Sequence, residues 1–285
     1  MKLLRKLTSQ DHSEKYLMGL EDETTVETLY MFDEQHQLTF HSTVCVSSQV
    51  GCSMGCRFCA TGKQGFLRNL SMQEIIGQVD LCNTTRANTR TVPIDAVVFA
   101  GMGEPLLNYE QVKAAMIELQ SRLGIRHFEL ATVGIVPLIY EMIKDFLDSG
   151  ITIRLNLSLH ASSDAQRSLM IPMNKRYSID KIIQAAVEYS QAVGIKARLR
   201  YMLFKDFNDR AEDIKQLTDL LAGKPVKLII SQYNENNIQG LVPAEQQRIW
   251  EFYHKVSTSI DAEIFHNFGM DIQGGCGQLK QTMVR

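Results

Sequence analysis

Cysteine is scarce in this chain, six in 285 residues, well below the density of small secreted folds stapled by disulfides. A disulfide scaffold is therefore excluded. Tryptophan occurs once and proline six times, and there is no internal repeat and no low-complexity tract to mark a linker. No apolar run approaches the ~20 residues that a membrane-spanning helix requires, so no membrane association is expected. Charge of either sign is nearly balanced, with a net −2 at pH 7. The chain as a whole exerts no electrostatic pull on nucleic acid, and any basic surface must be local. The opening stretch MKLLRKLTSQDHSEKY is basic but lacks the apolar segment and small-residue cleavage site of a signal peptide. A cytoplasmic protein is the expectation.

What is present is a globular composition, 45% hydrophobic and 22% charged, enough for a sizeable core. Short β-branched runs predict strands at 25–32, 42–48, 94–100, 127–132, 152–159, 196–203, 226–233 and 262–267. Longer amphipathic stretches predict helices at 71–86, 108–122, 136–148, 178–193, 209–222 and 243–259. Ser71 with Glu74 three residues on has the pattern of a capping box, and Ser178 and Asp209 are candidate caps. Strand followed by helix, repeated about six times, implies an α/β fold on a parallel sheet. Such a sheet is either doubly wound or a full or partial (β/α) barrel. In each case functional residues gather where strands end at their C-termini. The first ~40 residues read as a short β-rich lead-in (1–40) to a core spanning 41–285.

Four of the six cysteines crowd together in VCVSSQVGCSMGCRFC: Cys45 within the 42–48 strand, and Cys52, Cys56 and Cys59 directly after it. Structural zinc wants four protein ligands, usually as two separated pairs, and no second C-x-x-C follows. A 4Fe-4S cluster takes one cysteine per iron, so the C-x3-C-x2-C group at 52, 56 and 59 would leave one iron open for a substrate or cofactor.

That motif, with Phe58 before its last cysteine, resembles the radical S-adenosylmethionine (SAM) enzymes. The resemblance narrows through CVSSQVGCSMGCRFCATGKQGFLRNLSMQEIIGQV (45–79), GMGEPLLN (101–108), SLHA (158–161), MIPMNKRY (170–177), YMLFKDFND (201–209) and GCGQL (275–279). Together these resemble the RlmN/Cfr family, which methylates adenine in ribosomal RNA. The matches run in order from about Val26 to Leu279. The resemblance implies a partial (β/α) barrel of about six parallel strands, a 4Fe-4S cluster on Cys52, Cys56 and Cys59, and SAM bound at the open iron. It implies SAM contacts at Gly103, Glu104, Ser158, Leu159, His160 and Asn234. A 5′-deoxyadenosyl radical made from SAM would start the reaction, with electrons from a carrier such as flavodoxin or ferredoxin.

The same resemblance assigns Cys276, in GGCGQL, as the thiol that takes a methyl group from one SAM and delivers it to C2 or C8 of the base. An sp2 amidine carbon has no lone pair and cannot attack a sulfonium methyl, which is why a carrier is needed. Cys45 would release the product by forming a transient disulfide with Cys276. Glu27, in VETLY, would accept the proton from the substrate carbon. Cys82, in a predicted helix, reads as a packing residue.

Several positions depart from the family. Only ~25 residues precede the VETLY strand, where the family carries an RNA-binding module of roughly a hundred. Ala131 stands where the family has a SAM-contacting serine, which removes a hydrogen bond worth on the order of 1 kcal/mol. Arg200 stands where the family has an acidic residue. HNFGMDIQGGCGQL lacks the basic residues that usually precede its aspartate, and Gly274 and Gly275 replace alanines. Arg57, Lys63, Arg68, Lys175 and Arg176 lie near the predicted active-face loops and are candidate RNA contacts. Two alternatives follow: the same radical core acting on another substrate (a tRNA, a peptide or a small molecule), or a non-catalytic zinc module with no use for Cys276.

Overall fold

The β-branched runs assemble one ten-stranded sheet in the computed structural model, which describes residues 1–32, 40–86, 92–236, 238–265 and 267–279. β1 (Lys2–Thr8), β2 (Glu14–Gly19) and β3 (Thr25–Phe32) form an antiparallel meander. β4 (Ser42–Val46) continues it antiparallel to β3. β5 (Gln49–Gly51) and β6 (Phe66–Asn69) make a separate two-stranded ribbon. β7 (Ala96–Phe99), β8 (His127–Thr132), β9 (Thr152–Ser158), β10 (Ala197–Leu203), β11 (Val226–Gln232) and β12 (Ala262–Ile264) then add one after another, parallel to β4 and to each other.

Among the described strands, spatial order follows chain order without reversal, so these show no switch point of the doubly wound kind. Right-handed crossovers in that order place every connecting helix on the same face. The other face is left as a concave wall, as in a partial barrel. Seven strands share the parallel direction, close to the expected number. The lead-in proves to be the antiparallel flank of the same sheet.

The helices are α1 (Ala60–Gln64), α2 (Met72–Thr85), α3 (Tyr109–Leu123), α4 (Val136–Phe146), α5 (Asp164–Met170), α6 (Ile179–Val193), α7 (Ala211–Leu221) and α8 (Gln246–Val256). Their apolar faces follow the 3.6-residue period: in α6, Ile179, Ile182, Ile183, Ala186 and Tyr189 are buried. Each such isoleucine contributes roughly 2 kcal/mol by leaving water. Cys82 on α2 is wholly buried in the main core, a packing residue. Among the described residues, no helix is long and apolar enough to cross a membrane.

Strands 25–32 and 127–132 fall where the alternation predicts them. The predicted 262–267 strand ends at Ile264, and His266 lies outside the described residues. The Ser71–Glu74 capping box is formed in both directions, at 3.2 and 2.8 Å. The other two caps are corrected. Ser178 occupies the N-cap of α6 without a side-chain bond, and Asp164 accepts the Ile179 N–H instead, at 2.8 Å. At α7 the N-cap is Arg210, and Asp213 accepts its N–H at 3.0 Å, leaving Asp209 outside the helix. Asp164→Ala is accordingly expected to lower stability by about 1 kcal/mol, read as a fall in the denaturant midpoint with unchanged slope. Ser178→Ala should have a smaller effect.

Candidate active site

Alternation along the strands decides what faces the concave wall. In β8, Phe128 and Leu130 turn toward the core, Glu129 and Ala131 turn inward, and Thr132 at the strand's end reaches the second cavity. The parallel register sets Arg154 beside Glu129, Asn156 beside Ala131 and Arg198, and Arg200 beside Ser158. The inner wall is therefore polar. Arg154 and Arg198 both reach Glu129 Oε1, at 2.9 and 3.5 Å, and Asn156 Nδ2 donates to its Oε2 at 3.1 Å. Arg200 lies over the Phe265 ring, 4.1 Å from its centroid. Glu129, Arg154 and Arg198 were not expected from the sequence; their signal there is the polar alternation of TIRLNLSL and of KARLR, with Glu129 in register in HFELAT.

Two adjoining cavities open on this wall. The first is lined by Cys45, Glu129, Arg200, Phe265 and Phe268, among others. The second is lined by Cys52, Cys56, Cys59, Gly103, Glu104, Ser158 and His160. Ala131, Arg200 and Cys276 line both.

The three clustered cysteines sit on the loop between β5 and α1 and within an apolar shell that includes Met54, Phe58, Ile171 and Met202. Burial pushes Cys52 up to about 12, Cys56 well above the ordinary thiol range and Cys59 upward. The metal-free thiols thus hold their protons, and a bound metal must displace them. Among the described residues, no three His, Cys, Asp or Glu side chains converge on a single-ion position. The three thiols instead face one cavity from separate positions, and a four-iron cluster presents its irons at separate corners. The soft donors, their count and the apolar shell fit that cluster.

Glu104 faces the same cavity and is 3% exposed. The Val133 N–H donates to its Oε2 (2.9 Å) and the Leu106 N–H to its Oε1 (3.1 Å). Burial nevertheless raises its pKa to about 7. A carboxylate has roughly four acceptor sites, so it keeps capacity for a cationic ligand. Gly103, at φ +105°, lets the backbone pass Gln49; a Cβ there would lie 2.6 Å from the Gln49 Cβ. His160 is buried, and its Nδ1 accepts the Met202 N–H at 3.0 Å. Burial, then Arg167 and Arg200, bring its pKa down to about 3, so the ring is neutral with its proton on Nε2. Arg167, unforeseen in the sequence, is fully buried beneath this floor. It donates to the Val133 and Ser158 carbonyls at 2.7 and 2.8 Å and joins the ends of β8 and β9.

Cys276, more than two hundred positions from the cluster motif, is exposed at the junction of the cavities. Its loop is stitched to the cysteine loop: Ala60 N–H donates to Gly277 O (2.9 Å), and Asn236 Nδ2 reaches both Phe58 O (2.9 Å) and Gly277 O (3.0 Å). Asn234 Nδ2 donates to Cys276 O at 3.2 Å, so Asn234 supports this loop and does not line either cavity. A Cβ on Gly275 would lie 2.4 Å from that amide nitrogen, which explains glycine there. Cys45 lines the first cavity with Cys276, and both are free thiols. Burial, with the Cys276 thiol second, pushes Cys45 up to about 12.

Two expected residues lie behind the walls. Leu159 is wholly buried in the core, with its backbone N–H on Arg200 O (3.0 Å). Glu27 is wholly buried beside the first cavity, two residues from its wall at Leu29, and pairs with Lys15 at 3.2 Å. Of the candidate RNA contacts, Arg57, Lys63, Lys175 and Arg176 are exposed. Arg68 is committed to an internal fork with Asp22 (2.6 Å) and Glu74 (2.8 Å).

A family model described as the Radical SAM superfamily matches residues 46–221. The chain is 38% identical over 285 residues to the probable dual-specificity RNA methyltransferase RlmN of Dictyoglomus turgidum, covering 98% of this chain and 79% of that one. It is also 38% identical to the dual-specificity RNA methyltransferase RlmN 2 of Myxococcus xanthus, over 96% of this chain and 72% of the other. Among solved structures, a radical SAM methyltransferase from Sphaerobacter thermophilus aligns with a TM-score of 0.89 and 31% identity, over 98% of this chain and 81% of that one. Spore photoproduct lyase, at 13% identity and a TM-score of 0.52, shares the fold alone.

Proposed function

We propose that this chain, which belongs to the radical SAM superfamily and within it to the RlmN family, is an RNA methyltransferase that adds a methyl group to a ring carbon of adenine, C2 or C8, with Cys276 as the carrier. The observation that carries this reading is the position of Cys276 on the boundary of both cavities.

Cys52, Cys56 and Cys59 would hold a 4Fe-4S cluster through their thiolates, and Glu104, Gly103, Ser158 and His160, which line the same cavity, would hold SAM. When bound, cluster and SAM supply the methyl group and the one-electron activation. Glu104 would accept a hydrogen bond from the amino group of SAM, and neutral His160 would offer an Nε2–H donor. Leu159 contributes only through its backbone, and Asn234 holds the carbonyl of the carrier residue. The Cys276 sulfur would exchange its S–H proton for a methyl group on the cofactor side; on the substrate side that carbon, after giving up one hydrogen atom to the radical, would bond the ring carbon, with the adduct's odd electron returned to the cluster. On the family resemblance Glu27, wholly buried beside the substrate cavity and outside its lining, would accept the proton lost from the ring carbon once the wall at Leu29 yields to the base. Cys45 then attacks the Cys276 sulfur as a thiolate; an S–S bond forms, the S–C bond breaks, and the departing carbon takes up a proton to become the methyl group. Since Cys45 is pushed up to about 12, its thiolate must be generated during that step. We place the target in ribosomal RNA and the electrons with a flavodoxin- or ferredoxin-type carrier, on the family resemblance and the one-electron demand.

One observation favours the same chemistry on another substrate. Arg200, at a position the family fills with an acid, stacks on Phe265 in the substrate cavity and changes the charge that the base would meet. Nucleoside mass spectrometry of RNA from cells with and without the gene separates the two: loss of one methyladenosine supports RNA methylation, and an unchanged profile favours the second reading.

Glu104 makes SAM binding pH-dependent. Its folded pKa of about 7 lies above its ordinary 4.5, so without a cation its protonated form favours the folded state. That contribution is complete below the ordinary value and is lost as pH rises through the folded one. A bound ammonium favours the ionised carboxylate and expels the proton. SAM affinity should therefore be about tenfold weaker at pH 6 than at pH 8, and flat in Glu104→Gln, as measured by equilibrium binding.

A further inference from the structure

The antiparallel flank grips the loop that carries Cys276. At the β1–β2 turn, Asp11 Oδ2 accepts the Gly269 N–H at 2.7 Å, Asp271 Oδ2 accepts the Gln10 N–H at 3.1 Å, and Ser9 Oγ donates to Asp271 Oδ1. In β2, Lys15 is 1% exposed, between buried Glu14 and the stretch Tyr16–Met18. Its ammonium lies 3.2 Å from Glu27 Oε2 and donates to Gln273 O at 3.1 Å. Gln273 stands three residues before Cys276. A buried amine is costly unless it is fully engaged. Here one ammonium joins the carboxylate assigned to proton removal and the backbone of the loop that leads to the methyl carrier.

We propose that Lys15 is a positioning residue: with the β1–β2 turn it holds the Cys276 loop in register with Glu27, so that the carrier carbon and the accepting carboxylate meet at the same ring carbon. The proposal rests on the roles given above to Cys276 and Glu27. Loading of Cys276 needs only the cofactor side of the loop. Transfer to the base needs Cys276 and Glu27 in place together, and a displacement near 1 Å at a reacting centre can cost about a hundredfold. The effect of Lys15 should therefore fall on transfer.

The test uses reconstituted holoenzyme in single turnover, with loading read as methyl-Cys276 by peptide mass spectrometry and transfer read as methyladenosine in RNA. Lys15→Met should keep loading within about threefold of wild type and slow transfer by at least about tenfold, and Lys15→Arg should restore most of the transfer. In parallel, amide hydrogen exchange of residues 268–279 should accelerate in both Lys15→Met and Asp11→Ala. Equal loss of both half-reactions in Lys15→Met, wild-type transfer in that variant, or unchanged exchange in both variants would overturn the proposal. If Lys15→Met does not fold, Asp11→Ala decides: a lowered ratio of transfer to loading supports the tether, and an unchanged ratio ends it. If wild type never loads Cys276, the functional reading fails on its own, and the exchange measurement still decides whether the hairpin holds the loop.

Discussion

Cys276→Ala should abolish methyl transfer to RNA, by more than about a thousandfold, while leaving iron content and SAM binding at wild-type levels. A thousandfold corresponds to about 4 kcal/mol of lost transition-state stabilisation, reasonable when the covalent carrier itself is removed. The side chain is exposed at the cavity junction, so its loss leaves no core void. The bonds that place its loop run through backbone atoms, Cys276 O to Asn234 and Gly277 O to Asn236 and Ala60, and alanine keeps them all. Iron assay, SAM binding and methyladenosine formation on the same preparation check the expectation. Retention of transfer by this variant would mean that the methyl group does not travel on Cys276.

Cys56→Ala should lose the cluster. Reconstituted wild type should be brown with about four irons; the variant should fall toward none and lose every SAM-dependent activity. Cys56 is buried among Met54, Phe58, Met170 and Ile171, and its carbonyl accepts the Cys59 N–H at 3.1 Å. Replacing a small apolar thiol there should change the stability of the metal-free protein by less than about 1.5 kcal/mol. The larger thermal shift should appear only on reconstitution, because wild type alone gains the stabilisation that a tightly bound group confers. Full iron occupancy in Cys56→Ala would rule out Cys56 as a ligand, and zinc without iron in wild type would rule out the radical chemistry.

Much of the architecture was readable because it rests on local periodicity. VETLYM and HFELAT alternate strongly enough to set β3 and β8, and Ser71 with Glu74 closes a capping box across three residues. Elements that depend on distant partners were not readable. α5 and the β5–β6 ribbon are short, and their stability comes from what packs on them. The cap of α6 comes from Asp164, fifteen positions away, where the local signal pointed to Ser178. Arg68 looked like a surface cation until its neighbours proved to be Asp22 and Glu74.

The sequence by itself determined the chemistry: the C-x3-C-x2-C spacing, the GMGEP turn and the order of motifs are one-dimensional, and a short loop can present three thiols wherever the chain carries it. Only the tertiary structure decided which residues work together. Seven parallel strands bring Cys45, Cys276 and the Arg200–Phe265 pair to one concave wall, and an antiparallel hairpin brings Lys15 between Glu27 and Gln273. The physical reason is that strand pairing joins residues by register and not by separation along the chain. A buried lysine has no local signature until the carboxylate and carbonyl that satisfy it arrive from elsewhere in the fold.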